Sequence, residues 1–207
     1  LEGEIDTEWV KTAKESVKVT MVAASKLSEG NFQKIMEATR NLHDKNKKIV
    51  LDLSGANADK STLAGLTTDN KYVGFCGGSN RDKGIKNISK FYLPEGIITI
   101  SNMAFAYSDY TEIVLPSTLT QISGRPSSGC DSLVWKVAEG NKSFKADKEG
   151  ALYDYKMETL MVLNGGSGDS YIVRGGTTTI REWALYENSV SKTLTIPASV
   201  TKLSADC

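Results

Sequence analysis

The chain is expected to fold as an α/β cap on a β-rich solenoid of about 22–23 residue period, broken by irregular insertions. Two observations predict this. One phrase recurs: Leu93-Pro94-Glu95-Gly96-Ile97-Ile98-Thr99-Ile100, Leu115-Pro116-Ser117-Thr118-Leu119-Thr120-Gln121-Ile122 and Ile196-Pro197-Ala198-Ser199-Val200-Thr201-Lys202-Leu203, with Arg174 in the proline slot of a fourth copy starting at Val173. Pro94 and Pro116 are 22 residues apart, and Arg174 and Pro197 are 23 apart. Ahead of these copies, a strand–helix–strand pattern reads from the apolar spacing.

Residues 6–15 read as a short helix, with Asp6 or Thr7 as N-cap and Trp9, Val10 and Ala13 on one side. Ser16 to Met21 alternates as a strand. From Ser28 to Lys45 the apolar positions Phe32, Ile35, Met36, Thr39 and Leu42 have helical spacing; Ser28 or Asn31 can cap the start and Asn46 can end it. Lys48 to Ser54 is a strong strand. Strand, helix and strand imply a right-handed βαβ crossover. Leu51 and Leu53 have the spacing of the repeat strands, so this second strand is expected to be the first rung. The preceding strand and helix would then close the apolar end of the stack. Residues 1–53 are accordingly assigned to the cap and 54–207 to the solenoid.

Residues 55–90 are irregular and are expected to form one or two imperfect coils anchored by Leu63, Leu66, Tyr72, Val73, Phe75, Ile85 and Ile88. The copies then align position by position. Leu93, Leu115, Val173 and Ile196 precede the proline slot, and Phe91, Ile113, Tyr171 and Leu194 lie two residues earlier. That alternation is a short strand with one buried face. Ile100, Ile122, Ile180 and Leu203 follow six residues after the slot, then Ala104-Phe105 and Ala184-Leu185; Pro126-Ser127 is a degenerate version of this last pair. No unit can bury its apolar side alone, so the units must stack. A period in the low twenties with this pattern marks a leucine-rich repeat. Residues 138–170 read as an insertion carrying a hairpin, Ala151 to Tyr155 and Glu158 to Val162 around Lys156, followed by a flexible turn from Asn164 to Asp169. The last copy reaches only its Ala slot at Cys207, so the strand Leu194-Thr195-Ile196 is expected to meet either an improvised cap or a second copy in self-association.

The pattern resembles the BspA-type leucine-rich repeat of bacterial surface proteins. Glu112 to Pro116 and Thr193 to Pro197 match its strand, Asn102-Met103-Ala104-Phe105 its Ala-Phe element, and Gly129-Cys130-Asp131-Ser132-Leu133 its Gly-Cys element. Gly150 to Tyr153 with Thr159 to Val162 resembles an insertion of the same proteins. Val17 to Thr20, a helix, then Leu51 to Ser54 is similar to the cap of spirochaete members. The resemblance implies an extracellular or cell-surface location, periplasmic or lipid-anchored in a precursor, and adhesion to host or neighbouring-cell proteins.

Composition narrows the function. Basic and acidic residues balance at 25 each, leaving no basic footprint for nucleic acid. No apolar run approaches the length of a membrane span. The chain starts at Leu1 without a signal peptide, as a processed or engineered form would. Cys76, Cys130 and Cys207 lack metal or redox spacing and read as buried or free thiols. His43, the only histidine, reads as a solvated helix residue, so no triad or zinc site can be built on it. Gly165-Gly166-Ser167-Gly168 lacks the Lys of a phosphate loop, and Gly77-Gly78-Ser79-Asn80 is likewise a turn. Asp59, Asp69 and Asp82 lack calcium-loop spacing. Asn87-Ile88-Ser89 and Asn141-Lys142-Ser143 are glycosylation sequons.

The concave strand face is more informative. One outward residue per coil is expected there: Asp52, Tyr92, Val114, Lys136, Ile172 and Thr195. Tyr92, Val114 and Ile172 are apolar where solvent is expected, as in a partner surface. The alternative is that β-branched and aromatic residues simply suit strands. The expectation is a non-enzymatic binding or adhesion module for protein partners, with no catalytic residue, cofactor or metal. A structural spacer within a longer surface protein is the alternative, and an enzyme the least favoured.

Overall fold

The computed structural model describes residues 18–20, 25–40, 48–66, 71, 73–164, 169–187 and 192–207. The short helix expected at 6–15, the end of the next helix at Asn46, His43, Tyr72, Asp69 and the glycine run 165–168 lie outside them. The fold is a helix-bearing α/β cap continuing into a β-rich leucine-rich-repeat solenoid.

Strand β1 (Lys18–Thr20) is parallel to β3 (Ile49–Asp52), and helix α1 (Glu29–Arg40) lies between them in sequence. A second short strand, β2 (Ser25–Leu27), pairs in parallel with β4 (Ala56–Ala58). Ser28 caps α1, its Oγ accepting from the Asn31 N–H at 3.2 Å. Phe32, Ile35, Met36 and Thr39 are buried, as the i, i+3, i+4, i+7 spacing requires. The Phe32 ring meets Phe75 at 4.9 Å and Phe91 at 6.1 Å, edge to face. Ring contacts then run along the stack: Phe91 stacks on Tyr110, and Tyr110 to Phe105 and Phe105 to Trp135 meet edge to face, at 5.9–6.2 Å.

The repeat strands build one parallel sheet. It runs β1, β3, β6 (Ile88–Tyr92), β8 (Glu112–Leu115), β10 (Val134–Val137). Leu51, Phe91, Ile113 and Trp135 face the core in register. A second parallel sheet lies further along each coil: β5 (Thr62–Leu63), β7 (Thr99–Ile100) and β9 (Gln121–Ile122), with Leu63, Ile100 and Ile122 aligned and buried. Residues 53–87 form a single enlarged coil: Asp52 pairs with Tyr92, 40 residues on, whereas Tyr92 pairs with Val114 after 22. Ile85 and Ile88 anchor it, but Val73 is 50% exposed and is not an anchor. Gly84 is needed there, because a Cβ would stand 1.7 Å from the Tyr107 carbonyl oxygen.

The coil corners use a repeated left-handed geometry. Nine residues after the proline slot stand Met103, Trp183 and Asp206, with φ of 62°, 58° and 53°; thirteen after it stand Tyr107, Gly129 and Glu187, with φ of 58°, 69° and 50°. Most are not glycine, so stacking holds them in a region that side chains disfavour. The coil through Pro126-Ser127, degenerate at its Ala-Phe slot, still joins the backbone ladder, with its left-handed corner one residue early at Gly124 (φ 59°). Met103, Phe105 and Tyr107 donate their N–H groups to the Arg125, Pro126 and Ser128 carbonyls at 2.8–3.1 Å. Proline fits because it supplies only the carbonyl.

The insertion is a structural layer, not a surface decoration. Strand β11 (Phe144–Ala146), which the hairpin reading omitted, pairs antiparallel with β12 (Leu152–Asp154), and β12 with β13 (Thr159–Val162). Strand β13 continues in parallel to β15 (Thr179–Ile180) and then β17 (Lys202–Leu203). Leu152 and Val162 belong to the first apolar cluster and Tyr153 and Leu160 to a second one with Tyr171, Val173 and Ile180, so the layer is buried on both faces. Asn164, expected in a turn, is instead a buried bolt across the joint. Its Oδ1 accepts from Trp135 Nε1 and Ser127 Oγ, both at 2.9 Å, and its Nδ2 faces the Ser127 and Cys130 carbonyls. Half-buried Arg181 covers the edge carbonyls of β9, donating to Ile122 O at 2.7 Å and to Gly124 O.

The last coil differs. Ile196 and Leu203 are 42% and 59% exposed, whereas Leu115, Val173 and Ile180 in the same slots are fully buried. These two expected rungs are therefore uncovered.

Candidate binding surface

Six outward strand residues were expected to form one face. The register divides them. Asp52, Tyr92, Val114 and Lys136 align across β3, β6, β8 and β10 as one cross-strand row. At the usual interstrand spacing this row is about 14 Å long. Ile172 and Thr195 align with each other in a separate parallel pair, β14 (Ser170–Ile172) with β16 (Thr193–Thr195). The antiparallel layer intervenes in sequence, and β10 and β14 do not pair.

Exposure corrects the row further. Asp52 is only 9% exposed, not an outward solvent-facing residue. Its Oδ1 accepts from the Ser54 N–H at 3.2 Å and the Ser54 hydroxyl at 2.6 Å, so it closes the turn after β3. Tyr92 and Val114 are half-buried, Lys136 is exposed, and Ile172 is, among the described residues, the most exposed large apolar one at 71%. Beside this row runs a second one, Val50, Lys90, Glu112 and Val134. Lys90 and Glu112 face each other at 3.7 Å, so a neutralised pair borders the apolar centre. The sheet thus presents Tyr92 and Val114 beside an ion pair in the next row and next to Lys136 at the end of their own, which has no ion-pair partner among the described residues. Sequence reasoning passed over this second row because it took one outward residue per coil, although a four-residue strand supplies two.

Chemistry elsewhere is structural. Burial pushes the Cys130 thiol up to about 12 and raises Cys76 as well, so neither is a nucleophile at neutral pH. The Tyr171 hydroxyl donates to Asp147 Oδ2 at 2.5 Å and lies 2.7 Å from the Tyr153 hydroxyl. Burial, helped by Asp147, raises Tyr171 and keeps it protonated. Among the described residues there is no cluster of three His, Cys, Asp or Glu side chains fit to hold a metal ion, and no helix long and apolar enough to cross a membrane. Both sequon asparagines, Asn87 and Asn141, are buried at 1% and 5% exposure, so neither can carry a glycan in this fold.

Residues 83–159 match the family model of the BspA type leucine rich repeat region, six copies. The fold is similar to that of a leucine-rich repeat protein from Eubacterium ventriosum, with a TM-score of 0.53 at 19% identity over 91% of this chain and 49% of that one. Weaker likenesses are to the pneumococcal vaccine antigen PcpA (TM-score 0.45, 17% identity, 75% of this chain and 46% of that one) and to a leucine rich cell surface protein from Faecalibacterium prausnitzii (TM-score 0.44, 14% identity, 75% and 43%). The chain spans about half the length of these solved structures. No curated protein matches it. Repeat spacing, strand register and family match agree that residues 83–159 are similar to the BspA-type leucine-rich repeat.

Proposed function

We propose that the chain is a non-enzymatic binding module, displayed on or secreted from a bacterial cell, that presents its outward strand residues to proteins of host or neighbouring cells. The observation that carries this reading is the Tyr92–Val114–Lys136 row on a rigid parallel sheet. An aromatic and an aliphatic side chain at the centre with charges at the rim is the anatomy of a protein interface. A solenoid holds such a row without ordering cost on binding, which favours affinity. Exposed Ile172 offers a second apolar contact. The test is capture of surface proteins by the intact chain and by the Tyr92→Glu, Val114→Glu variant with an unchanged melting curve. Partners lost in the variant support the reading. Equal capture by both, or no capture by either, favours a spacer. A spacer that stacks on a second copy is the reading favoured by the uncovered Ile196 and Leu203.

A further inference from the structure

Beyond Lys136, strand β10 runs into a loop that turns at Gly140 (φ 93°) and returns as β11. Loop and strand enclose an open cleft of about 400 Å³, lined by Lys136, Glu139, Lys142, Lys145, Asp147 and Tyr155 with small apolar residues between them. That volume is in the range of ligand clefts. The wall is fixed by Asn141, which is buried. Its Nδ2 donates to the Pro116 and Leu119 carbonyls at 2.8 and 3.1 Å, and its Oδ1 accepts from the Ser143 and Phe144 N–H groups at 2.8 Å. Lys145 Nζ stands 4.3 Å from the centre of the Tyr155 ring, which orients that ammonium.

The charges in the cleft are unequal in availability. Asp147 is engaged on both oxygens, by the Ala151 N–H at 2.9 Å and by the Tyr171 hydroxyl. Glu139 is the remaining carboxylate in the lining. Against it stand three ammonium groups, and among the described residues Lys136 and Lys142 have no ion-pair partner, unlike Lys86, Lys90 and Lys192. We infer that this cleft takes a short acidic peptide segment of a partner protein, its carboxylates set against Lys136, Lys142 and Lys145. The inference deepens the proposed binding function and rests on it, since Lys136 ends the Tyr92–Val114 row and a segment lying along that row reaches the cleft. A peptide fits better than a sugar chain. Sugar hydroxyls are held mainly by amide and carboxylate groups, and here Asn141 and Asp147 are already engaged, which leaves Glu139 against three ammonium groups. Lysine ammonium groups and the aliphatic wall of Val137, Ala138 and Ala146 suit flexible acidic side chains.

The test uses the full chain and fluorescence anisotropy of a labelled hexaglutamate peptide, with hexaglutamine and a heparin hexasaccharide as comparisons. Hexaglutamate is expected to bind in a salt-sensitive way and hexaglutamine not to bind. Lys142→Glu with Lys145→Glu should weaken binding about tenfold or more, and Glu139→Gln should tighten it. Lys202→Glu, outside the lining, should leave it unchanged. Equal weakening by Lys202→Glu, tighter binding of heparin, or no hexaglutamate binding would overturn the assignment. The last result, found beside a surface-protein partner that still depends on Tyr92 and Val114, would leave the proposed function standing. Hexaglutamate binding without any such partner would leave the cleft and remove the wider reading.

Discussion

The strongest single test of the architecture is Asn164→Ala. This side chain joins the two apolar clusters, and its Oδ1 is the acceptor for the buried Trp135 Nε1–H and Ser127 Oγ–H groups at 2.9 Å each. Truncation strands both donors in the buried joint. A buried donor without a partner costs about 1–3 kcal/mol, so two give about 2–6 kcal/mol. Relief from burying the amide itself offsets part of this, leaving about 2–4 kcal/mol. With a urea slope of roughly 1–3 kcal/mol per molar, the midpoint should fall by on the order of 1 M. Unfolding is followed by circular dichroism and by tryptophan emission, because Trp135 sits at the joint. Asn164→Asp keeps the acceptor oxygen but sets a second, charged oxygen against the Ser127 and Cys130 carbonyls in place of the amide donor, and it should also destabilise. A loss under about 0.5 kcal/mol for Asn164→Ala, the range of a surface change, would show that the joint does not depend on this residue.

Three further outcomes are expected. Ile122→Ala empties a buried rung between Ile100 and the joint and should cost about 2–5 kcal/mol; a change of a few tenths in chemical denaturation would place Ile122 outside the core. Exposed Cys207 should react with a thiol reagent at once, and Cys76 and Cys130 only on unfolding. Because Cys130 is raised from 9.0 to about 12 in the fold, its contribution to stability is complete below pH 9 and lost as pH climbs towards 12, so urea midpoints measured across that window should decline; prompt reaction of all three thiols would contradict the burial. Finally, the uncovered Ile196 and Leu203 predict concentration-dependent association, read by light scattering with and without reductant to separate it from a Cys207 disulfide. A Leu203→Glu variant should abolish it, and a monomer at every concentration would refute it.

Much of this fold was legible because a repeat states the same fact several times. Phe91 and Ile113, Leu93 and Leu115, and Ile100 and Ile122 each occupy equivalent slots, and all are buried. The helix over Phe32 to Thr39 was legible from its period alone. What escaped were features without a periodic signature. Strand β11 is three residues long and has no alternation to read. The left-handed corners at Met103, Tyr107 and Trp183 carry residues that do not advertise positive φ, because stacking imposes the conformation. Asn164 sits beside a glycine run that reads as loop, and only the approach of Trp135 reveals its role. Asp52 shares the strand position of Tyr92 and Val114 but is buried, with its carboxylate held by Ser54 in the turn after β3.

The two-faced layer of β11, β12 and β13 has a consequence for how such an array can change. In an uninterrupted stack each coil is packed only by its neighbours, and the stability of the whole is a chain of nearest-neighbour couplings. Here one coupling in the middle is of a different kind. It is made by antiparallel pairing and by the Asn164 hydrogen bonds, with Leu152 facing one cluster and Tyr153 the other. A core substitution on one side therefore reaches the other cluster through this layer, while polar side chains at the rim, Arg181 on the Ile122 carbonyl and Arg125 over the Tyr186 ring, tie the two halves directly. Coils can change their apolar packing on either side while the opposite cluster keeps its own complementarity, provided that these rim contacts are kept.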